Sequence, residues 1–242
     1  MSTPRHGRVD DGWSSAVSSG LALSGFLTLV FVAFTLLAMG PLVRYDAYFN
    51  LAGPPPEWVP FLQVLDRIGQ RAVALPILAV AVLWVYRRSP SWRPVALSAF
   101  SVFLLNLVVL TLKVGLGRAA PDTADPSFFA GGMAYPSGHS ANIVLVYGLA
   151  AYLVTTYTRP RTAVRVLLWG TVAVLAVTMV VTSVTLRWHW FADLVAGLLV
   201  GGIVLELTTT LDRWVPAHVL AAGGRDGLAP VLAPFRRRRG HA

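Results

Sequence analysis

The sequence has 242 residues, of which 55% are hydrophobic and only 13% charged, with a net charge of +9 and a mean hydropathy of +0.63. Soluble domains carry roughly 25% charged residues, so this composition excludes an ordinary soluble enzyme. The absence of cysteine excludes disulfides, thiol nucleophiles and cysteine metal sites.

The apolar residues fall into long charge-free blocks, each near the ~20 residues that a helix needs to cross a bilayer. Met1 to Gly12 is a polar leader with Arg5 and Arg8, read as disordered and cytoplasmic. The block behind it is too long for a signal-peptide core and is expected to stay as a helix. Trp13 to Val43 is uncharged and holds a first span at 16–39. Arg44 to Gln70 carries Pro54-Pro55-Pro56, Asp46, Glu57, Asp66 and Arg67. Its Trp58 and Phe61 suggest a segment lying against the membrane. A short second span covers Ala72 to Tyr86 and stops at Arg87-Arg88-Ser89-Pro90, and Pro94 to Leu116 forms the third, with Lys113 near its end.

Gly117 to Tyr135 is a loop rich in Gly, Pro and Asp. Ser140–Thr158, Val166–Leu186 and Trp190–Leu211 are the fourth, fifth and sixth spans. The fold class is therefore an all-α polytopic membrane bundle of six transmembrane helices. One domain, 13–211, lies between the leader, 1–12, and a basic cytoplasmic tail, 212–242, ending in Arg236 to Arg239.

Positive charge sorts the loops. The leader, Arg87/Arg88/Arg93, Arg159/Arg161/Arg165 and the tail fall on one side of this threading, which should be the cytoplasm. The charge thus reads as topology and a membrane-surface anchor, with no nucleic-acid partner. The opposite face receives 44–71, 117–139 and the 187–189 turn.

Three pieces on that face carry residue types suited to chemistry. His189 and Asp193 stand four apart, so on a helix they share a face. A carboxylate on one ring nitrogen fixes the tautomer and leaves the other free to attack. The plain alternative is a self-satisfied pair, but ionisable groups within a span are costly and usually functional. His139 follows Pro136-Ser137-Gly138, where loop becomes helix, and suits a general acid or base. The turn offers backbone N–H groups to an anion, although Pro-Ser-Gly is also an ordinary turn. Lys113 is the sole lysine in a chain whose other basic residues are all arginine. It either snorkels to the interface or binds a ligand. Arg118 and Arg187 add donors suited to phosphate. Glu206 is expected to bond a neighbouring helix, and Trp188 and Trp190 to lie in an interfacial belt.

Two histidines, one carboxylate and several cations form an inventory for phosphoryl transfer without metal or other cofactor. A metal centre would need three or four converging ligands, and Lys113 and Arg118 would oppose a cation there.

The sequence resembles the type 2 phosphatidic acid phosphatase superfamily, membrane lipid phosphatases that share a core with vanadium haloperoxidases. Pro136-Ser137-Gly138-His139 matches that family's second motif. His189-Trp190-Phe191-Ala192-Asp193 matches the end of the third, and Lys113 opens the first. The resemblance covers about residues 20–210. It implies His189 as the nucleophile forming a phosphohistidine, Asp193 as its orienting partner and His139 as the general acid. Lys113, Ser137 and Gly138 would bind phosphate.

Two positions depart from the pattern. Ala120 stands where the first motif ends in arginine, and Ser183 replaces the arginine of the third. Arg118 and Arg187 are the candidates to replace them. The expected activity is hydrolysis of a lipid phosphomonoester or diphosphate on the extracytoplasmic face. The expected partners are the lipid substrate and the bilayer, and self-association is compatible with the sequence. A lipid phosphotransferase and a silent lipid-phosphate-binding protein are the alternatives.

Overall fold

The computed structural model describes residues 7–50 and 52–215, with side chains from Ser15 onward. Among the described residues the chain is helical, without strands. Helix α1 runs Gly7–Met39, α2 Val43–Phe49, α3 Val59–Asp66, α4 Arg71–Arg88 and α5 Arg93–Leu116. After a loop come α6 (Gly138–Asn142), a π-helical stretch (Ile143–Tyr147) and α7 (Gly148–Thr158), which together make one rod. Helices α8 (Thr162–Thr185) and α9 (Phe191–Trp214) complete the bundle.

Among the described residues, five helical stretches are long and apolar enough to cross a membrane. The expected second span, α4, qualifies only together with Pro56–Gly69, from which it is bent by 47°. Its 18 residues rise about 27 Å at 1.5 Å each, close to the hydrocarbon thickness.

Burial separates central from peripheral helices. Of the most apolar window in each, 61% is buried in Gly138–Thr158 and 56% in α9, but only 6% in α8 and 22% in α1. The α6–α7 rod and α9 are thus the axis, and the others present apolar side chains such as Phe26, Phe103 and Val174 outward. Without a hydrophobic drive between helices in lipid, close approach depends on small residues. A Cβ at Gly197 would lie 2.4 Å from the Ser137 carbonyl, and one at Gly201 2.6 Å from the Ala141 carbonyl. These two glycines let α9 lie directly against α6.

Several expected boundaries shift. The helix starts at Gly7, so part of the expected leader is helical; a polar sequence leaving the bilayer can keep its backbone hydrogen bonds. At the other end α9 continues through Asp212, which the hydropathy pattern assigned to the tail. Asp212 is buried and takes Tyr152 Oη at 2.7 Å, Tyr157 Oη at 2.8 Å and the Arg93 guanidinium. A carboxylate with three donors belongs in the bundle, where it joins α5, α7 and α9. Residues 1–6 of the leader and 216–242 of the tail lie outside the described residues.

Segment 44–70 also does more than lie on a surface. Trp58 and Phe61 are exposed and meet edge to face, as an interfacial segment would present them, whereas Asp46 and Asp66 turn inward and are buried. Glu206 finds its described partners on its own helix: Arg213 at 3.5 Å and Thr210 at 3.4 Å.

Replacing Gly197 with alanine should cost about 1–3 kcal/mol of stability by overpacking. Gly170→Ala, on α8, has no heavy atom within 4 Å of the added carbon and should be neutral or better. Denaturation of both variants in detergent checks the contrast.

Candidate active site

The site forms at the end of the bundle where α5 stops and α6 and α9 begin. The Tyr135–Pro136 peptide bond is cis, and Ser137 caps α6, its Oγ accepting the Ser140 N–H at 3.4 Å. Ser137 N–H donates to the Asp193 carbonyl at 2.9 Å, joining the Pro-Ser-Gly turn to the first turn of α9. Tyr135 is buried and shares a 2.6 Å hydrogen bond with Thr35 Oγ1 of α1. Burial pushes its phenol up to about 12, so it stays a neutral strut.

His189 precedes α9 instead of lying on it, in a turn where Arg187 has φ +58°. It still meets Asp193, because the Asp193 side chain folds back over the helix N-terminus. Asp193 Oδ2 accepts the Trp190 N–H at 3.0 Å and lies 3.4 Å from His189 Nδ1. An acidic group at this position also suits the positive end of the helix dipole. Trp190 is not a belt residue: it is 2% exposed, and its indole N–H donates to the Ala119 carbonyl at 2.8 Å.

Arg118 sits behind this pair, fully buried. Its Nη1 donates to Asp193 Oδ1 at 2.7 Å, its Nη2 to Asp46 Oδ2, and its Nε to the Pro126 carbonyl at 3.1 Å. The guanidinium also lies 4.7 Å from the Phe128 ring centroid. Asp46 uses its other oxygen to accept the Ala192 N–H at 2.9 Å. Burial lifts the Asp46 carboxyl above its ordinary value, and Arg118 is the main influence holding it down.

His139, in the first turn of α6, has a second carboxylate. Its Nε2 lies 3.4 Å from Asp66 Oδ2, and Asp66 Oδ1 accepts the Ser183 hydroxyl at 2.8 Å. Asp66 is fully buried at the end of α3. The histidines and carboxylates therefore form two pairs, and among the described residues no three metal-binding side chains converge.

A cavity of about 440 Å³ opens between the pairs, lined by Lys113, Gly138, His139, His189, Arg71 and Asn142 among others. Lys113 Nζ donates to the Met133 carbonyl at its edge. The structure thus brings Lys113, Gly138, His139 and His189 to one space, with Ser137 and Asp193 directly behind. It does not bring the two expected replacement cations there. Arg118 is committed to two carboxylates and has no exposed surface. Arg187 is exposed, donates to Asn50 Oδ1 at 3.0 Å, and lines a separate cavity with Ala120, Asp122 and Trp188.

Sequence reasoning missed Asp46, Asp66 and Arg71. Arg118 and Asp46 are 72 residues apart, and no spacing rule links them. A signal was nonetheless present: Asp46, Asp66 and Arg71 stand among the charged residues of a membrane-flanking segment, on the face away from the arginine clusters.

The family model for the PAP2 superfamily matches residues 94–216, just over half of the chain. The chain belongs to the PAP2 superfamily. Among curated proteins it is similar to phosphatidylglycerophosphatase B of Bacillus subtilis (strain 168), with 26% identity over 151 residues. That alignment covers 62% of this chain and 72% of the relative. Among solved structures it is similar to a transmembrane PAP2-type phosphatidylglycerolphosphate phosphatase from Bacillus subtilis. There the TM-score is 0.69 at 19% identity, covering 80% of this chain and 98% of the other, which is a shared fold. This protein is a membrane phosphatase of that superfamily. The segment that carries Asp46, Asp66 and Arg71 precedes the region matched by the family model.

Removing Arg118 leaves two carboxylates buried without their shared cation. Breaking a buried pair in this way costs about 3–5 kcal/mol. Arg118→Ala should therefore lose stability by that order as well as activity, as unfolding of the purified variant in detergent would register.

Proposed function

We propose that this PAP2 protein hydrolyses the terminal phosphate of a membrane lipid through a phosphohistidine on His189. The substrate is a phosphomonoester or diphosphate such as phosphatidate, phosphatidylglycerophosphate or a polyprenyl (di)phosphate. The observation that carries this reading is the single cavity onto which both histidines and Lys113 open. The similarity to a phosphatidylglycerophosphatase puts phosphatidylglycerophosphate first among the substrates to test.

Asp193 holds the Nδ1 side of His189, so Nε2 is the attacking nitrogen. As the P–N bond forms, the bond from phosphorus to the lipid oxygen breaks. His139 donates a proton to this oxygen, which leaves as the lipid alcohol from a monoester or as the lipid monophosphate from a diphosphate. Its Nε2 side faces Asp66, which leaves Nδ1 for the transfer. Water then attacks phosphorus with His139 taking its proton, the P–N bond breaks, and phosphate departs, leaving His189 free. Lys113 and the N–H groups of the first turn of α6, at Gly138, balance charge on the equatorial oxygens; Ser137 fixes that turn.

The positive-inside rule favours the cavity on the extracytoplasmic face, with both termini in the cytoplasm. The reaction as drawn uses no metal, so it should proceed in chelator.

Purified protein in detergent with chelator should release inorganic phosphate from these lipids, and His189→Ala should abolish the release. Survival of turnover in His189→Ala would exclude the phosphohistidine. A new phosphodiester in place of free phosphate would make the protein a transferase. Asp66→Asn should lower kcat by ~10² while moving KM little, since general acid catalysis contributes typically 10²–10⁴-fold.

A further inference from the structure

A phosphomonoester entering the cavity brings close to two negative charges at neutral pH, and transfer keeps that charge on the three non-bridging oxygens. Of Lys113, Arg118 and Arg187, the cations that the residue order singles out, only Lys113 lines the space, and it is already bonded to the Met133 carbonyl. Arg118 is buried behind Asp193, and Arg187 belongs to the neighbouring cavity. The second cation on the wall is Arg71.

Arg71 is the first residue of α4, exposed, and near enough to His139 for its charge to act on the imidazole. Among the described residues no carboxylate forms an ion pair with it. The backbone beneath it is tightly held. Gly69 presses on His139, and a Cβ there would lie 2.9 Å from the His139 Cβ. Asn142 Nδ2 donates to the Gly69 carbonyl at 3.1 Å, and Tyr147 Oη to the Ile68 carbonyl at 2.8 Å. Gln70 is extended, φ −72° and ψ 143°, and its carbonyl takes the Ala74 N–H at 2.9 Å. Two side chains of the α6–α7 rod thus fix the short turn that sets Arg71 over the cavity.

We propose that Arg71 is a substrate-binding residue whose guanidinium grips the terminal phosphate together with Lys113. This rests on the hydrolase reading above and deepens it. A guanidinium presents a rigid planar fork that matches two phosphate oxygens at once, whereas an ammonium acts as a rotatable point charge. Two cations on one small cavity select a terminal phosphate dianion over a singly charged phosphodiester, so the site takes lipid monophosphates and diphosphates and rejects ordinary diester phospholipids.

The test compares wild type, Arg71→Ala, Arg71→Lys and Arg67→Ala in detergent. It reads the Kd for inorganic phosphate by calorimetry, and kcat and KM for phosphatidylglycerophosphate. Arg71→Ala should weaken phosphate binding at least tenfold and lower kcat/KM by ~10² or more. Arg71→Lys should recover part of both, and Arg67→Ala, which removes the same charge from the same segment, should change either less than twofold. Arg71→Ala within twofold of wild type in both readouts overturns the assignment, as does an equal loss in Arg67→Ala. Wild-type protein that binds phosphate through Arg71 yet releases none from any lipid sinks the hydrolase reading while leaving the Arg71 site standing.

Discussion

The buried guanidinium of Arg118 is the interaction on which the rest of the site depends. It joins Asp193, at the start of α9, to Asp46, on a short helix from a distant part of the chain. A guanidinium suits this place because it stays charged under all conditions and offers donors in a rigid fork. Once both carboxylates are fixed, their remaining oxygens are fixed too. One receives the N-terminal amide of Ala192, and the other faces the His189 ring and the Trp190 amide. The orientation of the His189 ring is thereby set by a charge network with almost no contact with solvent. Burying three charges at the membrane edge is expensive, and excellent geometry is what offsets the desolvation.

The second histidine also faces a buried carboxylate, on the other wall, with its Nε2 3.4 Å from Asp66 Oδ2. Asp66 comes from the helix break before α4, and Ser183 of α8 holds its free oxygen. Each imidazole therefore has one nitrogen against a carboxylate, and both open on the same cavity. Segment 44–71, outside the family-matched region, supplies a carboxylate behind each histidine and an arginine on the cavity wall. It is a structural half of the site, closed over the bundle by the Asn142 and Tyr147 hydrogen bonds.

Much of this was legible from residue order. Charge-free blocks located the spans to within a few residues, because a bilayer admits only helices or barrels that satisfy their own backbone groups. The Pro136–His139 turn, the His189/Asp193 pair and the sole lysine were legible as candidate site residues because ionisable groups are rare in such a chain. The errors fell where partners are remote. Arg118 reads as a phosphate cation and is a buried clamp. Trp190 reads as an interfacial aromatic and is a core residue with its indole bonded to Ala119.

The sequence by itself determined an all-helical membrane bundle, its family and the three motif segments, since hydropathy and short-range spacing are properties of adjacent residues. Only the tertiary structure decided which cations and carboxylates attend those motifs. Arg118, Arg187 and Arg71 are chemically the same, and a linear reading has no means to rank them. Their roles follow from what surrounds each one: two buried carboxylates for Arg118, an exposed amide for Arg187, and for Arg71 an open cavity shared with both histidines.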